Sequence, residues 1–156
     1  MEVITLLFVL SSIIIILTPG QDMMMVMSQS ISHGKKAGII TALGVSFGLL
    51  GHTLLATIWL GSLLMTSTWL FDVIKFIGAA YLIYIGYQLL VSKEPKLAIK
   101  TLPKASYKKM FIQGALTNIM NPKIAIFYFS YLPQFVTLNE GNQSLQLFIL
   151  GITYAI

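Results

Sequence analysis

Long runs of apolar residues without a charged side chain dominate the chain. They extend over residues 37–71, 76–92, 110–122, 124–139 and 141–156. Bilayer-spanning helices need about 17 to 25 such residues. None of these runs carries the charged outer face that amphipathic helices of soluble proteins show at a period of 3.6 residues. The pattern therefore predicts an all-α fold, a polytopic membrane helix bundle.

Five spans are expected, and two of them are interrupted. Span one covers residues 3–32 with an interruption near Pro19, span two 39–65, span three 70–91, span four 111–135 with an interruption near Asn121 and Pro122, and span five begins at Leu145. Because twelve helical residues cover only about 18 Å of a hydrocarbon core of about 30 Å, we expect span five to be cut short and a sixth helix to be missing from this chain.

Composition and charge support the membrane assignment. Apolar residues make up 56% of the chain, charged residues 10%, and the mean hydropathy is +0.84. The net charge of +5 comes largely from lysines in residues 93–109 and from the pair Lys35 and Lys36, so it predicts cytoplasmic loops and an N-terminus outside, not a nucleic-acid partner. The absence of cysteine excludes disulfides and thiolate metal sites, and the sequence indicates no metal and no cofactor.

The two interruptions have related sequences. TPGQD at 18–22 and NPK at 121–123 each place a proline within an apolar span, followed at once by polar or charged residues. Pro19 and Pro122 are 103 residues apart, and the second interrupted span comes three spans after the first. Because three is an odd number, the two interrupted spans are expected to run in opposite directions. Inverted-topology repeats with discontinuous helices are typical of secondary transporters. The sequence predicts one domain, residues 1–156, made of repeat one (1–92), a cytoplasmic loop (93–109) and a partial repeat two (110–156).

Local chemistry predicts how each interrupted helix restarts. Thr18 is expected to be the N-cap residue of the second half of span one, with Pro19 at the first helical position and Gln21 completing a capping box. Asn121 before Pro122 repeats this arrangement. Gly20 has no side chain, so a ligand or a facing backbone can approach it closely.

The charged residues at the interruptions need partners. The helix dipole favours Asp22 by about 0.3 to 1 kcal/mol, whereas burial at mid-depth costs about 2.5 to 3.5 kcal/mol, so a polar cavity or a cation is expected. Lys123 meets the unfavourable end of the dipole and requires an anion. That anion is either Asp22, which gives a structural pair, or the carboxylate of a substrate, which gives a binding site.

A zwitterionic amino acid would suit this pair of charges. Its ammonium group would face Asp22, and its carboxylate would face Lys123 or the free N–H groups of a half-helix. The expected substrate-binding residues are Asp22, Lys123, Pro19, Gly20, Gln21, Asn118, Asn121 and Pro122. The side-chain amides of Gln21, Asn118 and Asn121 could orient the ligand or satisfy carbonyl groups at the interruptions.

Span two carries a single histidine and a glycine step. His52 is either a hydrogen-bond partner between helices or the carrier of a coupling proton. Gly44 and Gly48 form a GxxxG step, with Gly51 three residues on, and predict close packing of another helix.

Four segments together resemble one family. TPGQD, SHGKKAGIITALGVSFG, FIGAAYLIYIGYQLL and NIMNPKIAIFYFSYLPQFV are similar to the corresponding segments of the LysE/RhtB family of amino-acid exporters. The family pattern has a second proline where this chain has Gln21. The resemblance implies a multi-pass protein of the bacterial inner membrane with six helices, which exports amino acids or related metabolites in exchange for protons.

The expected function is secondary active export by alternating access, with an amino-acid substrate, the lipid bilayer and coupling protons as partners; a homo-oligomer is left open. No GxxxxGK[ST] loop, HExxH motif or Ser/His/Asp set is present, so neither ATP hydrolysis nor another enzyme activity is expected. One alternative is a cation or metal-ion channel or carrier that uses Asp22. Another is a non-transporting membrane assembly subunit whose buried charges lock helices together.

Overall fold

A computed structural model describes residues 2–66, 68–91, 102–137 and 141–155. These residues form helices and short connections without a β-strand, so the prediction of an all-α fold is confirmed. The helices are α1 (Glu2–Leu17), α2 (Gln21–His33), α3 (Lys35–Thr66), α4 (Thr68–Val91), α5 (Tyr107–Ile119), α6 (Pro122–Ile126) and α7 (Gln143–Ala155). A π-helical turn (Phe127–Tyr131) and a 3₁₀ turn (Leu132–Phe135) continue α6.

The helices follow the predicted spans in position. Within the described residues, the stretch Lys35–Leu63 of α3 is long and apolar enough to cross a bilayer by itself. Leu6–Leu17 and Gln21–His33 meet the same criterion together, and their axes are bent by 51° at the interruption. Membrane crossing by the other helices stays a prediction.

Large apolar side chains cover much of the outer surface. Ile14 on α1 is 66% exposed, Ile58 on α3 is 69% exposed and Ile83 on α4 is 74% exposed. Exposed apolar surface on this scale is typical of proteins whose outer face contacts something other than water. It therefore suits helices that are surrounded by lipid.

Helix α3 is the central element and packs against α2, α5 and α7. Its glycines allow this: a Cβ atom on Gly44 would collide with the main chain of Phe111, and one on Gly48 would lie 2.9 Å from the main-chain oxygen of Ala115. The predicted packing role of Gly44 and Gly48 is confirmed. Gly51 is different, because a Cβ atom there would meet no atom of the described part of the chain within 4 Å.

An aromatic core fixes the segment after the second interruption. Phe127 and Tyr128 are fully buried, and the ring of Phe127 lies 4.3 Å from that of Tyr154 on α7. The Tyr128 hydroxyl donates to the main-chain oxygen of Gly151 at 3.2 Å. These contacts hold the π-helical turn, which continues α6, against α7.

The lysine-rich connection, predicted to be cytoplasmic, lies partly outside the described residues. Residues 92–101, which include Lys93, Lys96 and Lys100, belong to the part that the structure does not describe. The orientation of the N-terminus and of this loop therefore stays a prediction.

Candidate functional site

A cavity of about 570 Å³ lies where the two interruptions meet. Its walls come from the end of α1, from α2, from α3, from the α5–α6 junction and from α7. The lining residues include Thr18 and Gly20; Asp22, Met23, Val26 and Met27; Ala42, Val45, Ser46 and Leu49; Asn118, Lys123 and Ile124; and Tyr154 and Ala155. Most of these side chains are apolar, and the few polar groups come from the interruptions.

The carboxylate of Asp22 is held by two amides. Its Oδ2 atom accepts hydrogen bonds from Nδ2 of Asn118 at 2.9 Å and from Nδ2 of Asn121 at 3.1 Å. Its Oδ1 atom is buried and has no hydrogen-bond partner among the residues that the structure describes. Oδ1 of Asn118, a residue with no exposed surface, is buried without a partner as well. The site therefore combines a fixed carboxylate with two unused acceptor atoms.

Lys123 has a partner that the sequence did not suggest. Its Nζ atom donates to the main-chain oxygens of Ile15 at 3.2 Å and Thr18 at 3.0 Å. These carbonyl groups belong to the last turn of α1, where the helix has unpaired acceptors and the negative end of its dipole. None of these hydrogen bonds joins Lys123 to Asp22 directly. The structure therefore gives this cation a partner besides the two expected anions, a helix C-terminus whose carbonyl groups supply negative potential.

Gly20 makes room for this contact. A Cβ atom at Gly20 would lie 3.2 Å from Nζ of Lys123. The group that approaches Gly20 is thus the Lys123 side chain, whereas the sequence predicted a ligand or a facing backbone. A Cβ atom at this position would require the ammonium group to shift by a few tenths of an ångström.

The two interruptions restart their helices in different ways. Asn121 is the N-cap residue of α6, its Oδ1 atom accepts from the backbone N–H of Lys123 at 3.0 Å, and Pro122 follows as predicted. Thr18 is not the N-cap residue of α2, so the predicted capping box with Gln21 was wrong. Its N–H and hydroxyl groups both donate to the carbonyl of Ile14, which makes Thr18 part of the end of α1. Gly20 occupies the cap position instead.

His52 connects α3 to the second interruption. Its Nε2 atom lies 3.2 Å from the main-chain oxygen of Asn118, and the side chain is 3% exposed. Because a carbonyl oxygen can only accept, Nε2 carries the hydrogen and donates it. Nδ1 is then an acceptor, and it is buried with no partner in the structure. The structure thus places His52 in the first of its two expected roles, as a donor between helices.

Some predicted site residues lie away from the cavity wall. Pro19, Gln21 and Pro122 are exposed and do not line it. Asn121 is buried and touches the site through its bond to Asp22. The sequence analysis missed Tyr154 and the apolar residues of the wall, such as Val45. Met23 and Met27 could have been recognised, because they follow Asp22 on the same helix, but Tyr154 carries no local sequence pattern of this kind.

A larger cavity lies elsewhere in the molecule. It has a volume of about 770 Å³ and is lined by Ser32, His33, Leu102, Lys104, Ala105, Ser106, Tyr107 and Met110. None of these residues belongs to either interruption. The cavity between the interruptions is the better candidate because two of its lining residues, Asp22 and Asn118, carry buried acceptor atoms without a partner among the described residues.

Comparison with known proteins agrees with the resemblance seen in the motifs. The sequence profile of the LysE type translocators matches residues 13–156. An uncharacterized membrane protein of Bacillus subtilis, YrhP, is 39% identical over 145 residues, which cover 87% of this chain and 69% of that protein. No solved structure matches the chain.

Two further relatives come from other bacteria. An uncharacterized membrane protein of Vibrio cholerae is 31% identical, with 95% of this chain and 72% of that protein covered. A protein of Klebsiella pneumoniae named leucine efflux protein is 31% identical, with 95% of this chain and 70% of that protein covered.

Proposed function

Because this chain belongs to the LysE type translocator family, we propose that it exports amino acids or related small metabolites across the bacterial inner membrane. It is a transport protein and not an enzyme. The observation that carries the proposal is the carboxylate of Asp22, fixed by two amides in a cavity between two helix interruptions. The name of the Klebsiella relative, leucine efflux protein, supports an amino acid as the substrate.

In the proposed binding mode the ammonium group of the substrate faces Asp22 and Asn118. Both residues present a buried oxygen without a partner, which suits a hydrogen-bond donor with a positive charge. Asn121 holds the carboxylate in place, and Lys123 joins the second interruption to the end of α1. Gly20, Pro19 and Pro122 shape the backbone, whereas the exposed Gln21 lies outside the proposed contacts.

Alternating access between inverted repeats is the proposed transport mechanism. The spacing of Pro19 and Pro122, which predicts that the two spans run in opposite directions, supports it. The reciprocal bonds between the interruptions support it too, because Asp22 at the start of α2 contacts Asn118 and Asn121, and Lys123 contacts the end of α1. A substrate bound between them would contact both repeats, and a rocking motion of one repeat against the other would then change the side from which the cavity is open.

Proton coupling is the last part of the proposal, with His52 as the candidate carrier. Its Nδ1 atom has a free lone pair that can take up a proton, and its Nε2–H group contacts Asn118, which in turn contacts Asp22. Histidine is a common proton shuttle in proteins. Asn118 would therefore be the one residue that connects a proton on His52 to the proposed substrate-binding carboxylate of Asp22.

A second candidate function is a channel or carrier for inorganic cations. The unpaired oxygens of Asp22 and Asn118 favour it, because oxygen atoms are the usual ligands of hard cations. It needs no amino-acid ligand. Flux of sodium or potassium ions without amino-acid transport would support this function over export.

Efflux from proteoliposomes loaded with labelled amino acids tests the proposal. We expect Asp22→Asn to reduce efflux by about tenfold to a hundredfold, since hydrogen bonds to charged groups contribute about 1.5 to 3 kcal/mol. Asp72→Asn is the matched control, because Asp72 is an exposed residue of α4 outside the cavity. Equal efflux by both variants, with both proteins folded, would contradict the assigned site.

A further inference from the structure

The two charged residues of the cavity differ in how far their hydrogen-bonding capacity is used. Asp22 and Asn118 each have a buried oxygen atom without a partner. Lys123 instead has two main-chain oxygens as acceptors for its three N–H groups. The buried oxygen atoms of Asp22 and Asn118 therefore need a donor, whereas Lys123 keeps only one of its three N–H groups outside these two contacts.

We infer that the site recognises the ammonium group of its ligand and not the carboxylate, so that it also takes primary amines that lack a carboxylate. This inference rests on the proposed function, since it concerns the same cavity. It changes the expected substrate class from zwitterions to amines with an apolar tail. Amino-acid amides and simple alkylamines belong to this class.

Burial explains why the ligand must donate. Asn118 has no exposed surface, and an unpaired acceptor in such a place costs about 1 to 3 kcal/mol. The Oδ1 atom of Asp22 is part of a carboxylate whose other oxygen is bonded only to neutral amides, so its charge has no cation in contact. An ammonium group has three N–H donors and a positive charge. It can therefore donate to the Oδ1 atom of Asp22 and offset the negative charge of this carboxylate.

Lys123 is a poor carboxylate receptor in this arrangement. Its ammonium group already contacts the carbonyl end of α1, where the helix dipole offsets the positive charge. Two of its three N–H groups are used in these contacts, which leaves only one N–H group for a carboxylate. A carboxylate in the cavity would also lie close to the negative charge of Asp22.

The rest of the cavity is suited to an apolar tail. Met23, Val26 and Met27 of α2 line one side, and Val45 and Leu49 of α3 line another. Methionine side chains adapt their shape to different apolar groups. A ligand with its ammonium group at Asp22 would place its tail between these two helices.

Binding of matched ligands to the purified protein in detergent, measured by isothermal titration calorimetry, tests the inference. The four ligands are leucine, leucinamide, 3-methylbutylamine and 4-methylpentanoate, which keep a similar tail and differ in the charged groups. We expect the first three to bind with dissociation constants within about tenfold of one another, a spread of about 1.4 kcal/mol, and the carboxylic acid not to bind. Measuring binding avoids the leakage of neutral amines through vesicle membranes.

Lys123→Met provides a second measurement. If Lys123 bound the substrate carboxylate, this variant would weaken the binding of leucine and leave the binding of leucinamide unchanged. We expect the ratio of the two dissociation constants to stay the same. Should the variant fail to fold, the ligand series on the unaltered protein decides the question.

The outcomes separate this inference from the proposed function. Binding of leucine without binding of leucinamide or the amine would overturn the inference and leave amino-acid export standing. Binding of the amines without leucine would support the inference and contradict an amino-acid substrate. Binding of none of the four would contradict the inference, and the efflux assay with a panel of amino acids would then decide the proposed function.

Discussion

The side-chain amide of Asn118, near the end of α5, donates a hydrogen bond of 2.9 Å to Oδ2 of Asp22, which lies 96 positions earlier at the start of α2. This bond joins the two helix interruptions directly. The same Asn118 accepts from His52 through its main-chain oxygen, so a single residue connects α2, α3 and α5. The position of the Asp22 carboxylate therefore depends on three helices.

Replacing Asn118 should weaken ligand binding. Asn118→Ala removes one of the two amides that hold Asp22 and one of the two unpaired acceptors of the cavity. We expect the affinity for leucine to fall by about tenfold to a hundredfold, the range of a lost hydrogen bond to a charged group. Titration calorimetry checks this, with Gln134→Ala as the control at an exposed amide outside the cavity. An unchanged affinity in Asn118→Ala would contradict the role of Asn118.

Substitution by alanine should affect stability and ligand affinity at one glycine of α3 and not at another. A Cβ atom at Gly48 would lie 2.7 Å from Oδ1 of Asn118, so Gly48→Ala must displace that side chain or separate α3 from α5. At Gly51 the space is open, and alanine is the better helix former by about 0.8 to 1 kcal/mol. We expect Gly48→Ala to lower the thermal unfolding temperature and the ligand affinity, and Gly51→Ala to lower neither. Similar losses in both variants would contradict the packing of α3 on α5.

The cap at Asn121 can be separated from its contact with Asp22. Serine is about as good an N-cap residue as asparagine, whereas alanine costs about 0.5 to 2 kcal/mol at this position. We therefore expect Asn121→Ser to unfold at a higher temperature than Asn121→Ala. Both variants lose the bond from Nδ2 to Asp22, so both should bind leucine more weakly than the unaltered protein. Thermal unfolding and calorimetry measure the two effects independently, and equal stability of the two variants would argue against the cap.

Substitution of His52 distinguishes a donor between helices from a proton carrier. Glutamine keeps an N–H donor for the main-chain oxygen of Asn118, and leucine removes it. We expect the affinity of His52→Gln for leucine to stay within about threefold of that of the unaltered protein, a change of less than 1.4 kcal/mol. We expect His52→Leu to lose more of this affinity. If His52 also carries the coupling proton, efflux by His52→Gln will no longer respond to an imposed pH gradient. A full response to the gradient in this variant would exclude His52 as the carrier.

Local sequence chemistry predicted much of the fold. Apolar runs placed the helices, and Asn121 before Pro122 predicted a cap that the structure confirms. The motifs around Pro19 and Pro122 also predicted the family, as the profile match over residues 13–156 confirms. These features depend on residues within a few positions of one another. Hydrophobic periodicity and capping preferences act over that distance, so the sequence by itself determined them.

Tertiary structure decided the partners of the charged groups. From the sequence, only an anion was predicted as the partner of Lys123. The fold instead brings its ammonium group to carbonyl groups at the end of α1, 105 and 108 positions earlier in the chain. It also made Gly20 the cap residue, because Thr18 is still bonded to the last turn of α1. Buried charges seek the nearest complementary group in space, and that group can be a backbone dipole of any helix that packs there. The sequence thus determined where the helices are interrupted, and only packing decided which groups meet at the interruptions.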